Sequence, residues 1–164
     1  MLNITYQPIG IVHSPFKKPE GTPIQPLAAK DVCATIEIFP QYSEGLKDLD
    51  GFSHIYVLFH MHLAKNKSLI VTPFLDSAQH GIFATRAPGR PNRIGISVVC
   101  LDKIEGNTLH VKNIDMLDGS PVLDIKPYIS QFDFFETFKK GWFEKANHKI
   151  EEQKDDGRFK NKHL

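Results

Sequence analysis

The stretch 52–62, FSHIYVLFHMH, is the longest apolar run in the chain and sets the expectation for the fold. Its residues alternate between two faces, and one face is formed by Ile55, Val57, Phe59 and Met61. The opposite face carries His54, Tyr56, Leu58, His60 and His62. A repeat of two residues is the period of a β-strand, so this stretch predicts a central strand with one buried face.

Shorter β-branched or alternating runs lie on both sides of this strand, at residues 8–14, 32–39, 69–73, 94–104, 108–114 and 122–125. Glu105-Gly106-Asn107 joins two of these runs, which predicts a β-hairpin. Residues 42–49 predict a short helix, because their apolar residues recur at helical spacing. About seven strands separated by proline and glycine favour an antiparallel sandwich or barrel.

The chain changes character after residue 130. Its aromatic residues there are Phe132, Phe134, Phe135, Phe138, Trp142 and Phe143. Residues 133–150 predict a helix with a weak point at Gly141, and the aromatic side chains need cover from the barrel or from a second subunit. Residues 151–164 are charged and predict a flexible tail. We therefore expect one domain over 1–150, ending in the aromatic helix, and a tail over 151–164.

Composition limits the class of protein. The chain has 164 residues, 41% apolar, 24% charged, with a formal net charge of +1. This length suits one domain, and the charge confines any nucleic-acid site to a local patch. The sequence contains no apolar run of membrane-spanning length and no secretory signal. Cys33 and Cys100 lie in strand-like runs and predict buried, reduced thiols. We expect a cytoplasmic protein that does not bind a membrane.

The loop between two apolar segments in residues 81–97, GIFATRAPGRPNRIGIS, is rich in arginine. It places Arg86, Arg90 and Arg93 among two prolines and a glycine. Arginine presents a rigid fork of donors that suits carboxylates and phosphates, so the loop is a candidate anion site. The alternative is a solvated surface turn whose arginines form weak salt bridges.

Two histidines on the predicted central strand form the pattern His60-x-His62, with His54 on the same face. Such spacing can ligate zinc or iron if His80 or His110 completes the set. The alternative is a half-buried strand whose imidazoles form hydrogen bonds with the backbone. We expect no metal, because no further metal motif follows and the pattern arises easily among eight histidines.

Three aspartates, Asp115, Asp118 and Asp124, flank the predicted turn at residues 116–121. Turn aspartates usually cap backbone N–H groups, but they could also face the hydroxyls or amines of a ligand. The sequence lacks the nucleophile motif G-x-S-x-G, the dinucleotide motif G-x-G-x-x-G and a P-loop. Serine hydrolase and Rossmann-type nucleotide chemistry are therefore disfavoured.

The order of the motifs resembles a known family. It runs PIGIVHSPF, a proline-rich loop over residues 16–26 that ends in IQP, GLKDLDGFSHIYVLFHMH, FATRAPGRPNRIGISVV and IDMLDGSPVLDIKPYI. Over residues 7–129 this order is similar to that of the TsaA-like, or TrmO, family of tRNA methyltransferases. Its most specific strings are FATR with RPN.IG.S, and LDG.P..DIKPY.

The resemblance implies a mainly β protein, a single-domain antiparallel β-barrel with short helices. It also implies a homodimer that binds S-adenosylmethionine near the subunit interface. The expected reaction is N6-methylation of threonylcarbamoyladenosine beside the anticodon of tRNA. The alternatives are a protein that binds S-adenosylmethionine or a nucleotide without methyl transfer and, less favoured, a histidine-ligated metalloenzyme.

The resemblance also assigns residues. The expected cofactor contacts are Ile24, Gln25, Pro26, Met61, His62, Arg86, Ile96, Asp115, Met116, Leu117 and Asp118. Arg90, Arg93 and Lys126 are expected on tRNA phosphates or on the threonyl carboxylate. The residue that accepts the N6 proton is unknown; His62, Asp118 and Tyr128 are candidates by chemistry alone.

Overall fold

The computed structural model describes residues 4–146 and 150–159 of the chain. Its strands are β1 Gly10–His13, β2 Cys33–Ile38, β3 His54–His60, β4 Ile70–Val71, β5 His80–Gly81, β6 Ile94–Glu105, β7 Thr108–Lys112 and β8 Pro121–Pro127. Six of them close an antiparallel barrel in the order β1-β2-β7-β6-β3-β8, and β8 returns to β1. Strands β4 and β5 pair separately. The predicted antiparallel barrel is confirmed.

The predicted central strand is confirmed as β3. It pairs along its length with β6, from His54 opposite Cys100 to His60 opposite Ile94, and with β8 on its other edge. Ile55, Val57 and Phe59 point into the barrel, as the alternation predicts. Burying an aliphatic or aromatic side chain of this size contributes about 1.5–3 kcal/mol.

The barrel core comes from inward residues of all six strands and from the chain after β7. It consists of Val12, Ile36, Ile38, Ile55, Val57, Phe59, Val99, Leu101, Leu109, Val111, Ile114, Met116 and Val122. The hairpin predicted around Gly106 is confirmed as β6 and β7, and Gly106 adopts the left-handed conformation with φ +61°. Glycine suits that position because it has no Cβ.

Most of the helical structure is short and of the 3-10 type. The helix predicted at residues 42–49 is replaced by two such turns, Pro40–Leu46 and Leu49–Gly51. Another 3-10 turn, Ile82–Ala84, forms the apolar segment that precedes the arginine-rich loop. Ile82 is the one buried residue of this turn, so its side chains do not show the alternating burial of a strand.

The aromatic C-terminal region does not form the helix predicted over residues 133–150. The structure has one short α-helix, α1 Ser130–Asp133, and a 3-10 turn at Gly141–Lys145; residues 147–149 lie outside the described part. Gly141 has φ +59°, a left-handed conformation that a continuous right-handed α-helix through this residue does not allow. Phe132, Phe134, Phe135 and Phe138 are exposed, so their own barrel does not cover them.

The described part of the expected flexible tail is attached to the proline-rich loop. Backbone N–H groups of Gly21 and Asp155 donate to the carbonyls of Asp155 and Thr22, each at 2.8 Å. Phe159 packs against a small cluster formed by Val71, Ile82 and Ala87. Residues 140–146 and 150–159, called the C-terminal segment below, thus become part of the folded unit. Residues 160–164 lie outside the described residues.

Two smaller expectations have separate outcomes. Cys33 is exposed, so the prediction of a buried thiol is wrong for this residue, while Cys100 is partly buried; both are free. Cys33 starts β2, where the outward face of the barrel meets solvent. Within the described residues, no helix has both the length and the apolar content needed to cross a membrane.

Candidate functional site

A cavity of about 850 Å³ opens at the end of the barrel where β3 stops and β6 begins. Its walls come from the proline-rich loop, from the barrel end and from the arginine loop, residues 86–93. The C-terminal segment completes the enclosure. The cavity is therefore assembled from parts of the chain that are distant in sequence.

Small residues on β6 make room for the cavity at this barrel end. Gly95 and Ser97 point inward, where β6 elsewhere carries Val99 and Leu101. The ring of Phe59 lies directly over Gly95, and a Cβ at that position would stand only 2.7 Å from Phe59 Cε1. The glycine therefore lets Phe59 close the barrel core and form the floor of the cavity.

Asp115 is a buried acidic group of the cavity. Its Oδ1 accepts a hydrogen bond of 2.6 Å from the hydroxyl of Ser97. Burial raises the pKa of the Asp115 carboxyl to about 6, and the Ser97 hydrogen bond and the Arg86 charge act in the opposite direction. A carboxyl that titrates near neutral pH beside a cavity is typical of a functional site.

Arg86 is a basic group of the cavity and links two of its walls. Its Nη1 donates a hydrogen bond of 2.6 Å to Gln25 Oε1 of the proline-rich loop. Both side chains line the cavity, and the charge of Arg86 acts on Asp115. The cavity thus presents an exposed guanidinium and a buried carboxyl to one ligand, which suits a molecule with both an anionic and a cationic group.

The other two arginines of the loop contact backbone carbonyls. Arg90 Nη1 donates to the carbonyls of Ile82 and Thr85, at 3.0 and 2.7 Å. Arg93 adopts φ +53°, and its Nη2 donates to the carbonyl of Lys65 at 2.9 Å. These three hydrogen bonds differ from the weak surface salt bridges considered as the alternative. Both arginines hold the loop in shape.

The structure brings most of the expected cofactor contacts together. The cavity is lined by Ile24, Gln25, Met61, Arg86, Ile96, Asp115 and Leu117. Pro26, His62, Met116 and Asp118 do not line it. Met116 is only 1% exposed and belongs to the barrel core, because residues 115–117 alternate between cavity and core.

Asp118 has a structural role of the kind usual for turn aspartates. Its Oδ1 accepts from the backbone N–H of Ser14 at 3.0 Å, and its Oδ2 lies 2.7 Å from Lys17 Nζ. The hydrogen bond from Lys17 holds the pKa of this carboxyl below its usual value. These contacts tie the turn after β7 to the chain after β1, so the structure does not place Asp118 as a base in the cavity.

His62 adjoins the cavity through Ser120, which lines it; His62 Nδ1 and Ser120 Oγ are 3.4 Å apart. Burial, and then the neighbouring His60, lower the pKa of His62, so its imidazole is neutral at pH 7. His80 and His110 are engaged elsewhere, with Asp76 at 2.8 Å and Glu105 at 2.9 Å. Within residues 4–146 and 150–159, no group of three or more His, Cys, Asp or Glu side chains is placed to hold a metal.

Tyr128 and Lys126 lie toward the other end of β3. The N–H of Tyr128 donates to the carbonyl of His54 at 3.0 Å, and Lys126 stands opposite Tyr56 in the ladder. The cavity is at the Phe59 end of the same strand. Neither side chain is among those brought to the cavity, although Lys126 is exposed and pairs with Asp124 at 2.8 Å.

Several cavity residues were not expected from the sequence. Phe83, Lys140, Trp142, Phe143, Asp155 and Phe159 all line the cavity. Trp142 Nε1 donates to the carbonyl of Ala84 at 2.8 Å, and its ring stacks on His80 at 4.9 Å between centroids. The aromatic density of residues 132–143 signalled a need for contacts, but no local pattern indicated which surface would supply them.

Comparisons with known proteins agree with this architecture. A family model described as the tRNA-methyltransferase O N-terminal domain matches residues 11–134. A probable S-adenosyl-L-methionine-binding protein of Pyrococcus abyssi is 56% identical over 158 residues, covering 96% of this chain and 86% of that protein. The human tRNA (adenine(37)-N6)-methyltransferase is 40% identical over 140 residues, covering 80% of this chain and 31% of that protein.

A solved structure shares the fold as well as the sequence. The crystal structure of TrmO from Pseudomonas aeruginosa superimposes with a TM-score of 0.72 at 38% identity, covering 86% of this chain and 63% of that one. The chain thus spans most of the Pyrococcus relative but under two thirds of TrmO and about a third of the human enzyme. The family match covers more than half of the chain, and the chain belongs to the family defined by the tRNA-methyltransferase O N-terminal domain.

Proposed function

We propose that this protein binds S-adenosylmethionine in the cavity at the barrel end and methylates the N6 nitrogen of an adenosine in tRNA. One observation carries the proposal: five separate segments of the chain bring residues that the family resemblance assigns to the cofactor into one cavity. The names of the relatives, which include S-adenosyl-L-methionine-binding proteins and tRNA (adenine(37)-N6)-methyltransferases, support it.

The residues present fit the cofactor. The cavity volume of about 850 Å³ lies within the usual range for sites that enclose small molecules. The Arg86 guanidinium suits the amino-acid carboxylate of S-adenosylmethionine, and the Asp115 carboxylate suits its ammonium group or the ribose hydroxyls. Met61, Ile96 and Leu117 provide apolar surface for the adenine.

When bound, S-adenosylmethionine supplies an electrophilic methyl group on a sulfonium sulfur. The contribution of the chain is to hold the two reactants in line, which accounts for much of the acceleration in a displacement reaction. Arg86 and Asp115 carry opposite charges, and together they hold the cofactor by its carboxylate and by its ammonium group or ribose. Of the three candidate bases, we propose His62 for the N6 proton: it does not itself line the cavity, but its neutral imidazole adjoins Ser120 of the cavity wall.

The finer substrate within this proposal is threonylcarbamoyladenosine beside the anticodon. Its threonyl carboxylate and the tRNA phosphates are anions, and Arg90, Arg93 and Lys126 are the expected partners. The contacts of Arg90 and Arg93 to backbone carbonyls each engage one guanidinium nitrogen, so the loop is braced by the same side chains that would meet the RNA. Lys126 is 63% exposed.

We also propose that the protein acts as a homodimer. Ile94 and Ile96 face outward on β6 beside the cavity, and Ile96 is 50% exposed although it lines the cavity. Exposed apolar side chains on a strand are typical of a surface that is buried against another subunit. Light scattering of the purified protein tests this state, and a monomer at micromolar concentration would contradict it.

Transfer of a labelled methyl group from S-adenosylmethionine to tRNA tests the main proposal, followed by mass spectrometry of the nucleosides. The expected product is threonylcarbamoyladenosine carrying one additional methyl group. Arg86→Ala should weaken cofactor binding at least tenfold in calorimetry, since it removes the guanidinium. Lys103→Ala, which removes an exposed cation paired with Glu105, is the matched control.

A second candidate is a protein that binds S-adenosylmethionine without transferring its methyl group. This candidate is favoured by the name of the Pyrococcus abyssi relative, a probable S-adenosyl-L-methionine-binding protein whose match covers 96% of this chain. Calorimetric binding of S-adenosylmethionine, together with no labelled methyl in any tRNA nucleoside, would support this candidate against the enzyme.

A further inference from the structure

Phe83 is an exposed aromatic side chain that lines the cavity. Its side chain is 76% exposed, whereas its neighbour Ile82 is buried at 1%. The 3-10 turn Ile82–Ala84 therefore directs one apolar side chain into the protein and the next one out. Aromatic rings provide large apolar surface that is normally covered in a folded protein, so an uncovered ring at a ligand cavity calls for a partner.

The turn that carries Phe83 is held in place by side chains on both sides of it. Thr85 Oγ1 and Arg90 Nη1 both donate to the carbonyl of Ile82 at 3.0 Å. Arg90 Nη1 also donates to the carbonyl of Thr85 at 2.7 Å. The Arg90 guanidinium lies 5.9 Å from the centroid of the Phe83 ring. The backbone beneath the exposed ring is thus fixed before any ligand arrives.

The C-terminal segment adds a third brace. Trp142 Nε1 donates to the carbonyl of Ala84, the residue after Phe83, at 2.8 Å. Trp142 lies beyond residues 11–134, the range that the family model covers. Trp142 and Phe143 line the same cavity as Phe83, and Lys140 adds a cation there. An aromatic ring with Arg90 beside it, in a cavity that Arg86 and Lys140 also line, suits a planar base attached to an anionic backbone.

An enzyme that modifies a base must take that base out of its stack, and unstacked RNA bases commonly lie on aromatic side chains. Ile94 and Ile96 also line the cavity, but they lie two residues apart on the outward face of β6, a strand surface that a second copy of the chain can cover. Phe83 projects from a separate 3-10 turn, Ile82–Ala84, which Arg90 and Trp142 hold at the cavity.

We propose that Phe83 is the platform on which an unstacked adenine base of the RNA substrate lies while it is methylated, an inference that rests on the proposed function. The ring supplies stacking, and Arg90 and Trp142 act as positioning residues that hold the turn beneath it. Phe83 therefore contributes to substrate binding and orientation and takes no part in proton transfer.

The experiment compares Phe83→Ala, Phe83→Leu and Phe83→Trp with the wild-type protein, using tRNA methylation kinetics, calorimetry with S-adenosylmethionine and light scattering. The matched control is Phe138→Ala, because Phe138 is 91% exposed and has a cation, Lys139, 5.9 Å from its ring centroid, but does not line the cavity. Phe83→Ala should lower kcat/KM for tRNA by about 5- to 150-fold, the effect usual for one lost base–aromatic stack.

Phe83→Trp should retain activity, Phe83→Leu should lose most of it, and all variants should bind S-adenosylmethionine as the wild-type protein does. Equal activity of Phe83→Leu and wild type would overturn the stacking role. A weaker cofactor affinity in Phe83→Ala would assign the ring to the cofactor, and conversion to a smaller species in light scattering would assign it to the subunit interface. Failure of the wild-type protein to methylate tRNA overturns the proposed function and the inference with it, whereas active wild type and fully active Phe83→Ala overturn the inference alone.

Discussion

The closed barrel and the cavity wall are built by different kinds of contact. In the barrel, backbone ladders join neighbouring strands all the way round, and inward side chains such as Val57 and Val99 fill the space between them. In the cavity wall, side chains donate to isolated carbonyls: Arg90 to Ile82, and Trp142 to Ala84. Stability therefore resides mainly in the barrel, while ligand contacts depend on loops that the barrel supports.

The largest effect is expected from a change confined to the barrel. A Cβ at Gly10 of β1 would overlap the backbone carbonyl oxygen of Glu37 and lie 3.1 Å from the Cα of Ile38 on β2. Because β1 also pairs with β8, it cannot move aside without opening the barrel. Gly10→Ala should lower the free energy of unfolding by about 3 kcal/mol in urea denaturation.

The control for this change is Gly45→Ala, where a Cβ meets no atom within 4 Å. It should leave the free energy of unfolding nearly unchanged. The folded fraction of Gly10→Ala should still bind S-adenosylmethionine with wild-type affinity, because Gly10 does not line the cavity. Equal stability of Gly10→Ala and Gly45→Ala would contradict the view that the barrel closure carries the stability.

The second prediction concerns Asp115, whose replacement should raise stability and weaken cofactor binding. The pKa of this carboxyl is about 6 in the folded protein and 3.8 ordinarily, so between these values the folded state binds the proton more tightly. The free energy of unfolding should therefore fall by at most about 3 kcal/mol as pH rises from about 4 to about 6. Above pH 6 this contribution should change no further. Asp115→Asn removes the charge and should be more stable than wild type at pH 7.5, by about 2 kcal/mol.

The same variant should bind S-adenosylmethionine at least tenfold more weakly if the Asp115 carboxylate contacts the ammonium group or the ribose, as we propose. Thermal melting from pH 4 to pH 8 measures the first effect and calorimetry the second. Ser43→Ala, far from the cavity in the 3-10 turn Pro40–Leu46, is the control for both. A parallel pH profile for wild type and Asp115→Asn would show that Asp115 is not the group that titrates.

The barrel was predictable from the sequence because its information is local. The alternation in β3 specifies which residues face inward, and Gly106 marks the hairpin of β6 and β7. Seven of the expected cofactor contacts line the cavity, but those positions came from family resemblance rather than from spacing. Met116 shows the limit of that transfer, since adjacent residues of one motif point into the cavity and into the core.

The cavity wall was less predictable because its contacts join residues far apart in sequence. The bond from Trp142 to Ala84 and the pairing of Asp155 with Thr22 follow no periodic pattern. The sequence also indicates that Arg90 has a rigid fork of donors without indicating whether that fork meets an anion or a carbonyl. A helix was expected over residues 133–150, but Gly141, with φ +59°, begins a short 3-10 turn there instead.

A smaller effect is expected where the C-terminal segment meets the arginine loop. Trp142→Phe keeps an aromatic side chain, although a smaller one, and removes the indole N–H that donates to the carbonyl of Ala84. The free energy of unfolding should fall by about 1 kcal/mol, the usual value for one hydrogen bond. Amide hydrogen exchange should become faster in residues 82–85 and stay unchanged in β3. Unaltered exchange in the turn would mean that Trp142 does not brace it.

The smallest effect on stability is expected at Lys126, on the barrel surface away from the cavity. Its ion pair with Asp124 is exposed, so Lys126→Ala should change the free energy of unfolding by less than about 0.5 kcal/mol. If Lys126 contacts a tRNA phosphate, the slope of log affinity against log salt concentration should decrease by about 1 while cofactor affinity stays constant. Lys103→Ala, which removes another exposed lysine paired with an acid, should leave that slope unchanged. If Lys126→Ala leaves the slope as unchanged as Lys103→Ala does, Lys126 makes no contact with a tRNA phosphate, because each lost contact lowers the slope by about 1.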